Sequence, residues 1–292
     1  MLFTEPIAAL VVLTAVYFAF RAASEGSLLL SAIAGTFATL AGLARISTLM
    51  FALPIGLYAV LRHLRPDGVR RAARMGLAFT GGAVLGLLTL GLTNKWRAGS
   101  FTDLGYASVP LDGDFWEGIY GLLLSPGKGL LIYAPVIAVA LGALPWAIRR
   151  KPAETSLLLV LALANLVLFA RFPSWHGDNA WGPRYLNITL PLMVLLVAPL
   201  LTERRWRKAV AIAGVVGVLV NVLGVMVYFN QYFLVANQAL AKPPVTDVNA
   251  YLDPIHFDPE WSPLVGHSKL LNDSVDATTT SLKATGAGPF PP

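Results

Sequence analysis

The sequence predicts an all-α polytopic transmembrane helical bundle of about eight spans, two of them short, with a C-terminal tail on the outer face. Three observations carry that expectation. Of 292 residues, 56% are hydrophobic and only 13% charged, about half the charged share of a soluble domain. The apolar residues come in blocks of membrane-crossing length, not amphipathic stripes. The basic residues gather in short connections between those blocks, which leaves no basic face for nucleic acid. The chain has no cysteine, so disulfides, Cys-ligated metals and thiol nucleophiles are excluded.

The first apolar run, 6–21, follows Thr4-Glu5-Pro6 with no basic n-region and no small-residue cleavage site. It therefore starts a transmembrane helix and not a secretory signal, with Pro6 tolerated in the first turn. So abrupt a start leads us to expect upstream sequence that this chain lacks. Runs 27–43 and 47–61 come next, separated by little more than Arg45. A continuous helix over both would be about 50 Å long against a hydrocarbon core near 30 Å, so two short helices with Arg45 at their turn are expected. Runs 73–93, 129–148, 154–170, 185–201 and 209–230 complete eight crossings.

Three basic clusters orient them: Arg62 to Arg74, Arg149 to Lys151, and Arg204 to Lys208. With eight crossings all three fall on one side, which is then cytoplasmic. The Arg45 turn, loops 94–128 and 171–184 and the tail fall on the outer side, in a membrane expected to be the bacterial inner membrane. Residues 1–230 form the transmembrane domain, 231–271 an outer-face surface segment, and 272–292 a disordered tail rich in Thr, Gly and Pro. Pro54, Pro135, Pro145, Pro191 and Pro199 predict kinks or early helix ends. Gly82 and Gly86 either permit close helix contact or reflect how common glycine is in membrane helices. Asn165 and Asn221, inside apolar runs, are expected to make interhelical hydrogen bonds.

Chemistry concentrates in the outer loops. Loop 171–184 and its helix entrance bring Trp175, His176, Asp178, Trp181, Arg184 and Tyr185 within a few residues. Arg184 follows Gly182-Pro183, which places its guanidinium at headgroup depth, where it can take a phosphate bidentately. Trp175, Trp181 and Tyr185 are interfacial belt residues by default; three around one arginine favour a sugar or lipid platform. His176 and Asp178 suit a metal pair or a general base with its orienting partner. Two such groups are weak as a metal site, and no metal or cofactor is expected. Arg45 adds a third cation, with membrane snorkelling as the alternative. Ser125-Pro126-Gly127-Lys128-Gly129 can offer backbone N–H groups and Lys128 to an anion. It is no nucleotide loop: five residues separate Gly121 from Gly127 where four are needed, and no Ser or Thr follows Lys128. The ensemble suits a polyprenyl-phosphate-linked sugar whose tail lies among membrane lipid.

Four segments resemble integral-membrane glycosyltransferases of the GT-C type, the class that includes protein O-mannosyltransferases and lipid A aminoarabinose transferases. They are Phe3-Thr4-Glu5-Pro6, Leu40 to Leu49, Leu124 to Pro135, and Trp181-Gly182-Pro183-Arg184-Tyr185-Leu186 with the later Leu190-Pro191. Trp261 to His267 adds a weaker fifth. The resemblance implies transfer of a sugar from a polyprenyl-phosphate donor to a cell-envelope acceptor on the outer face. It also implies a catalytic Asp in a first large outer loop, which has no counterpart here, so the chain is expected to be the C-terminal portion of such an enzyme. Arg45, Lys128 and Arg184 become donor-phosphate candidates, and loop 171–184 a cavity wall. Asp103 and Asp178 remain as loop carboxylates without distinction. The rival reading is a non-catalytic protein that binds or moves polyprenyl lipids, or a structural membrane subunit.

Overall fold

A computed structural model describes residues 4–64, 68–102, 111–177, 180–240 and 249–285. Among them the regular structure is entirely helical. Four helices are long and apolar enough to cross a membrane: α1 (Glu5–Glu25), α4 (Val69–Ala98), α9 (Pro152–Ala170) and most of α11 (Arg204–Met226). Between the first two lie α2 (Leu28–Ala44), a 3-10 segment Ile46–Phe51 and α3 (Ala52–Leu61). The chain does break at Arg45, whose extended backbone (φ −157°, ψ 115°) ends α2.

The run 129–148, expected as one crossing, is three short helices: α6 (Leu130–Tyr133), α7 (Val136–Gly142) and α8 (Leu144–Arg150), after α5 (Phe115–Leu123). Proline explains both breaks. Pro135 supplies no N–H and stands at the start of α7, and Pro145 opens α8. The run 185–201 is broken likewise into a 3-10 segment Arg184–Ile188, α10 (Leu190–Leu195) and a second 3-10 segment Ala198–Thr202. Pro191 opens α10 and Pro199 the segment after it. The long helices are thus established, while half of the expected crossings are short or interrupted.

Helix α2 packs between α1 and α4. On α1 the buried face is Ala8, Val12, Ala15, Ala19 and Ala22, alternating steps of four and three residues that let a neighbour approach closely. The contact of α2 with α4 is closer still. A Cβ on Gly82 would stand 1.8 Å from the Ala32 carbonyl oxygen, and one on Gly35 2.0 Å from that of Phe79. At that separation hydroxyls cross between helices: Ser31 donates to Met75 O (2.9 Å), Thr36 to Gly82 O (3.1 Å) and Thr39 to Ala83 O (3.1 Å). Of the two explanations for Gly82, close contact is the one the packing supports. Asn165 and Asn221 make the expected long-range bonds, each amide donating at 2.9 Å, to Tyr185 O and Tyr133 O respectively.

The bundle has two chemically different ends. One gathers Glu5, Arg45 and Arg184; the other gathers Arg62 with Glu154 (3.6 Å) and Arg150 with Glu203 (3.5 Å). After α11 the chain forms α12 (Phe229–Leu240), α13 (Asn249–Phe257), a 3-10 turn Pro259–Trp261 and α14 (Pro263–Thr285). Tyr232, Phe233, Ala236 and Ile255 make a small core of their own. This layer lies on the Arg184 end, through a bond from Gly127 N–H to His256 O (3.0 Å) and rings of Tyr120 and Phe257 stacked at 5.8 Å. Helix α14 runs on to Thr285, past residue 272, where the disordered tail is expected to begin. No Gly or Pro interrupts 267–285, whereas both crowd the residues after it.

Candidate functional site

Local geometry brings distant cations to one carboxylate. Glu5 stands in the first turn of α1, beside Pro6, and is 1% exposed. Arg45 is turned toward it by the extended residue that ends α2. Arg184 arrives from the other side: Gly182 adopts a left-handed conformation (φ +63°), and after Pro183 the 3-10 segment begins at Arg184. Glu5 Oε1 accepts from Arg45 Nη1 at 2.5 Å and from Arg184 Nε at 2.7 Å. Among the described residues, two guanidiniums around one carboxylate leave one positive charge in excess. Glu5 Oε2 has no hydrogen-bond partner among the described residues.

Aromatic rings support the cations. Tyr185 stacks on Phe169 with centroids 4.4 Å apart and planes within 9°. The Arg45 guanidinium lies 4.7 Å from the Tyr185 centroid and 5.3 Å from that of Phe169, a cation–π arrangement. Asn165 holds the Tyr185 carbonyl from within α9. Glu5, Pro6, Trp181, Arg184, Asn187 and Gly224 line a cavity of about 180 Å³. A second cavity of about 330 Å³ shares Trp181 and Asn187 and runs between Tyr133–Val136 and α11. Gly224 is required beside the indole, since a Cβ there would lie 2.4 Å from Trp181 Cδ2.

The candidates therefore divide into two groups. Arg45, Arg184, Tyr185 and Trp181 converge with Glu5. Trp175, His176 and Lys128 belong to a neighbouring cluster beneath α13. There Trp175 donates to Glu117 Oε1 (2.9 Å), and His176 stacks on His256 at 4.8 Å. Lys128 is fully buried and donates from Nζ to Ala180 O at 2.5 Å. It is enclosed, not presented to a headgroup, because Gly127 packs against His256 with backbone atoms under 3 Å from any added Cβ. Asp178 and Asp103 lie outside the described residues. Among those described, no three His, Asp or Glu residues come together as a metal site.

Sequence reasoning passed over Glu5 and His256 as site residues. Glu5 had a signal, an acid between an apolar run and the chain start, but its partners lie 40 and 179 residues away. His256 had none, being one of four histidines in the chain.

His256 is 1% exposed, and neither ring nitrogen has a hydrogen-bond partner among the described residues. Burial first, then the charge of Lys128 and the neighbouring His176, hold its pKa well below the ordinary 6.5. Folded His256 thus stays neutral while the unfolded chain takes up a proton below about pH 6.5. Stability is full above that pH and falls as pH drops through it, by about 1 kcal/mol per unit. His267, lowered chiefly by burial, adds a smaller slope of the same sign. Melting in detergent from about pH 7.5 to about pH 5.5 is expected to show this loss and His256→Leu to flatten most of it; a slope unchanged in that variant would place the acid sensitivity elsewhere.

No protein-family model, no curated protein and no solved structure matches the chain. What the site can do must therefore come from its own chemistry.

Proposed function

We propose that the protein binds a polyprenyl-phosphate-linked sugar at the Glu5–Arg45–Arg184 end of the bundle and acts in glycosyl transfer of the GT-C type. In this reading the helices and broken runs make eight crossings of a bacterial inner membrane, and the site faces outward, opposite the three basic clusters. The observation that carries it is the convergence of two guanidiniums on one buried carboxylate at a cavity wall, net positive among the described residues. Arginine pairs suit phosphate because their N–H groups form a planar fork. The adjoining cleft along α11 has an apolar wall for an isoprenoid chain, and Trp181, which borders both cavities, is the aromatic side chain a sugar would meet there.

Glu5 is the carboxylate on that wall, and its free Oε2 is where an acceptor hydroxyl would donate a hydrogen bond. A second reading, binding or movement of the lipid without transfer, is favoured by the engagement of Oε1 with both arginines, which makes Glu5 a clamp.

Binding of polyprenyl phosphate to the purified chain tests the shared part. Arg184→Ala neutralises the excess charge and is expected to weaken binding about tenfold or more. Lys128→Ala, buried behind the cavity wall on the Ala180 carbonyl, is expected to act less. Undiminished binding in Arg184→Ala and in Arg45→Ala would sink the phosphate assignment. Transfer from a labelled lipid-linked sugar, present in wild type and absent in Glu5→Gln, separates the enzyme from the binding protein.

A further inference from the structure

We propose that the opposite end of the bundle holds an anionic glycerophospholipid, in a groove separate from the Glu5 cavity and independent of the function proposed for it. The groove has a volume of about 710 Å³ and lies between α1, α8, α9 and α10. Its apolar walls include Leu13, Val16 and Phe20 of α1 facing Leu158, Leu195 and Leu196. From Leu13 to Phe20 it follows α1 for about 10 Å, most of one half of a hydrocarbon core about 30 Å thick. That length and lining suit an acyl chain lying parallel to the helices.

Charge at the rim selects the headgroup. Arg150 and Lys151 stand at the end of the groove, where α8 gives way to α9. Arg150 lies 4.4 Å from the Trp146 ring centroid and 3.5 Å from Glu203, which holds it at the rim while leaving more than half of its side chain exposed. Glu154 is the acid on the rim, but Arg62 at 3.6 Å and the Tyr58 hydroxyl at 3.3 Å already engage it. Lys151 is exposed and has no ion-pair partner among the described residues. Counted over the described residues, the rim is therefore net positive, directly above an apolar slot. Basic pockets between membrane helices take anionic headgroups in this way. A zwitterionic lipid would fill the slot but bring its own cation to a rim that has one in excess.

Native mass spectrometry of the full chain in detergent, with phosphatidylglycerol against phosphatidylcholine, tests the site. Wild type is expected to retain phosphatidylglycerol about tenfold better. The double variant Arg150→Gln/Lys151→Gln, on exposed positions, should reduce that retention to the level of phosphatidylcholine. Thr14→Trp, which fills part of the groove, should reduce both lipids. Arg204→Gln, at the same end but off the groove, should leave retention unchanged. Equal retention of the two lipids by wild type overturns the proposal, as does a loss in Arg204→Gln matching that of the double variant.

Discussion

Glu5→Ala is expected to destabilise the folded protein by about 3 kcal/mol. The variant leaves Arg45 and Arg184 facing each other with no carboxylate between them. Removing one member of a buried ion pair costs about 3–5 kcal/mol, because the remaining charge is left uncompensated. The low end applies here, since the two arginine side chains keep 15% and 25% of their exposure. Glu5→Gln keeps the shape and one acceptor but loses the charge, so its cost should be smaller. The pairwise nature of the effect is open to a double-mutant cycle. If the clamp is real, Arg184→Gln in the Glu5→Gln background costs less than Arg184→Gln alone. Additive losses in thermal melting would show that Glu5 and Arg184 do not sense one another, and the site as described would not exist.

That clamp also marks where the sequence stops being informative. The long helices are legible in it because a span is a local property: about 20 apolar residues are needed, and α1, α4, α9 and α11 supply them. The Arg45 break is legible for the same reason, since an unbroken helix over 27–61 outruns the bilayer. The extent of breakage in 129–148 is not. Pro135 and Pro145 predict interruption, but how far the helix unravels depends on who takes up the freed carbonyls. Asn221, 88 residues away, bonds the Tyr133 carbonyl just before the first break. Lys128 looks like an exposed loop cation until α13 closes over it. Of the site, Arg184, Trp181 and Tyr185 announce themselves by clustering in one loop, and Arg45 by its charge in an apolar hairpin. Glu5 does not, because an acid in the first turn of a helix already has a local reason to be there.

Gly82→Leu is expected to be the most disruptive single change within the bundle, and Gly81→Leu beside it close to neutral. The two glycines are adjacent in sequence but point to opposite environments. A Cβ on Gly81 meets nothing within 4 Å, whereas one on Gly82 would stand 1.8 Å from the Ala32 carbonyl and 3.0 Å from Ala32 Cα. Backbone cannot swing aside as a flexible side chain can, so α2 and α4 must separate. Separation lengthens the three hydroxyl-to-carbonyl bonds from Ser31, Thr36 and Thr39 together. Overpacking costs about 1–3 kcal/mol in a well-packed core, occasionally more, and the lost bonds raise Gly82→Leu to about 3 kcal/mol or above. Gly81→Leu instead replaces an exposed helical glycine and should gain up to about 1 kcal/mol of helix propensity. The consequence reaches the site, because α2 ends at Arg45, and a displaced α2 carries that guanidinium away from Glu5. Gly82→Leu should therefore lower both melting temperature and phosphate binding, and Gly81→Leu neither. Matching behaviour of the two variants would mean that α2 and α4 do not meet along this face.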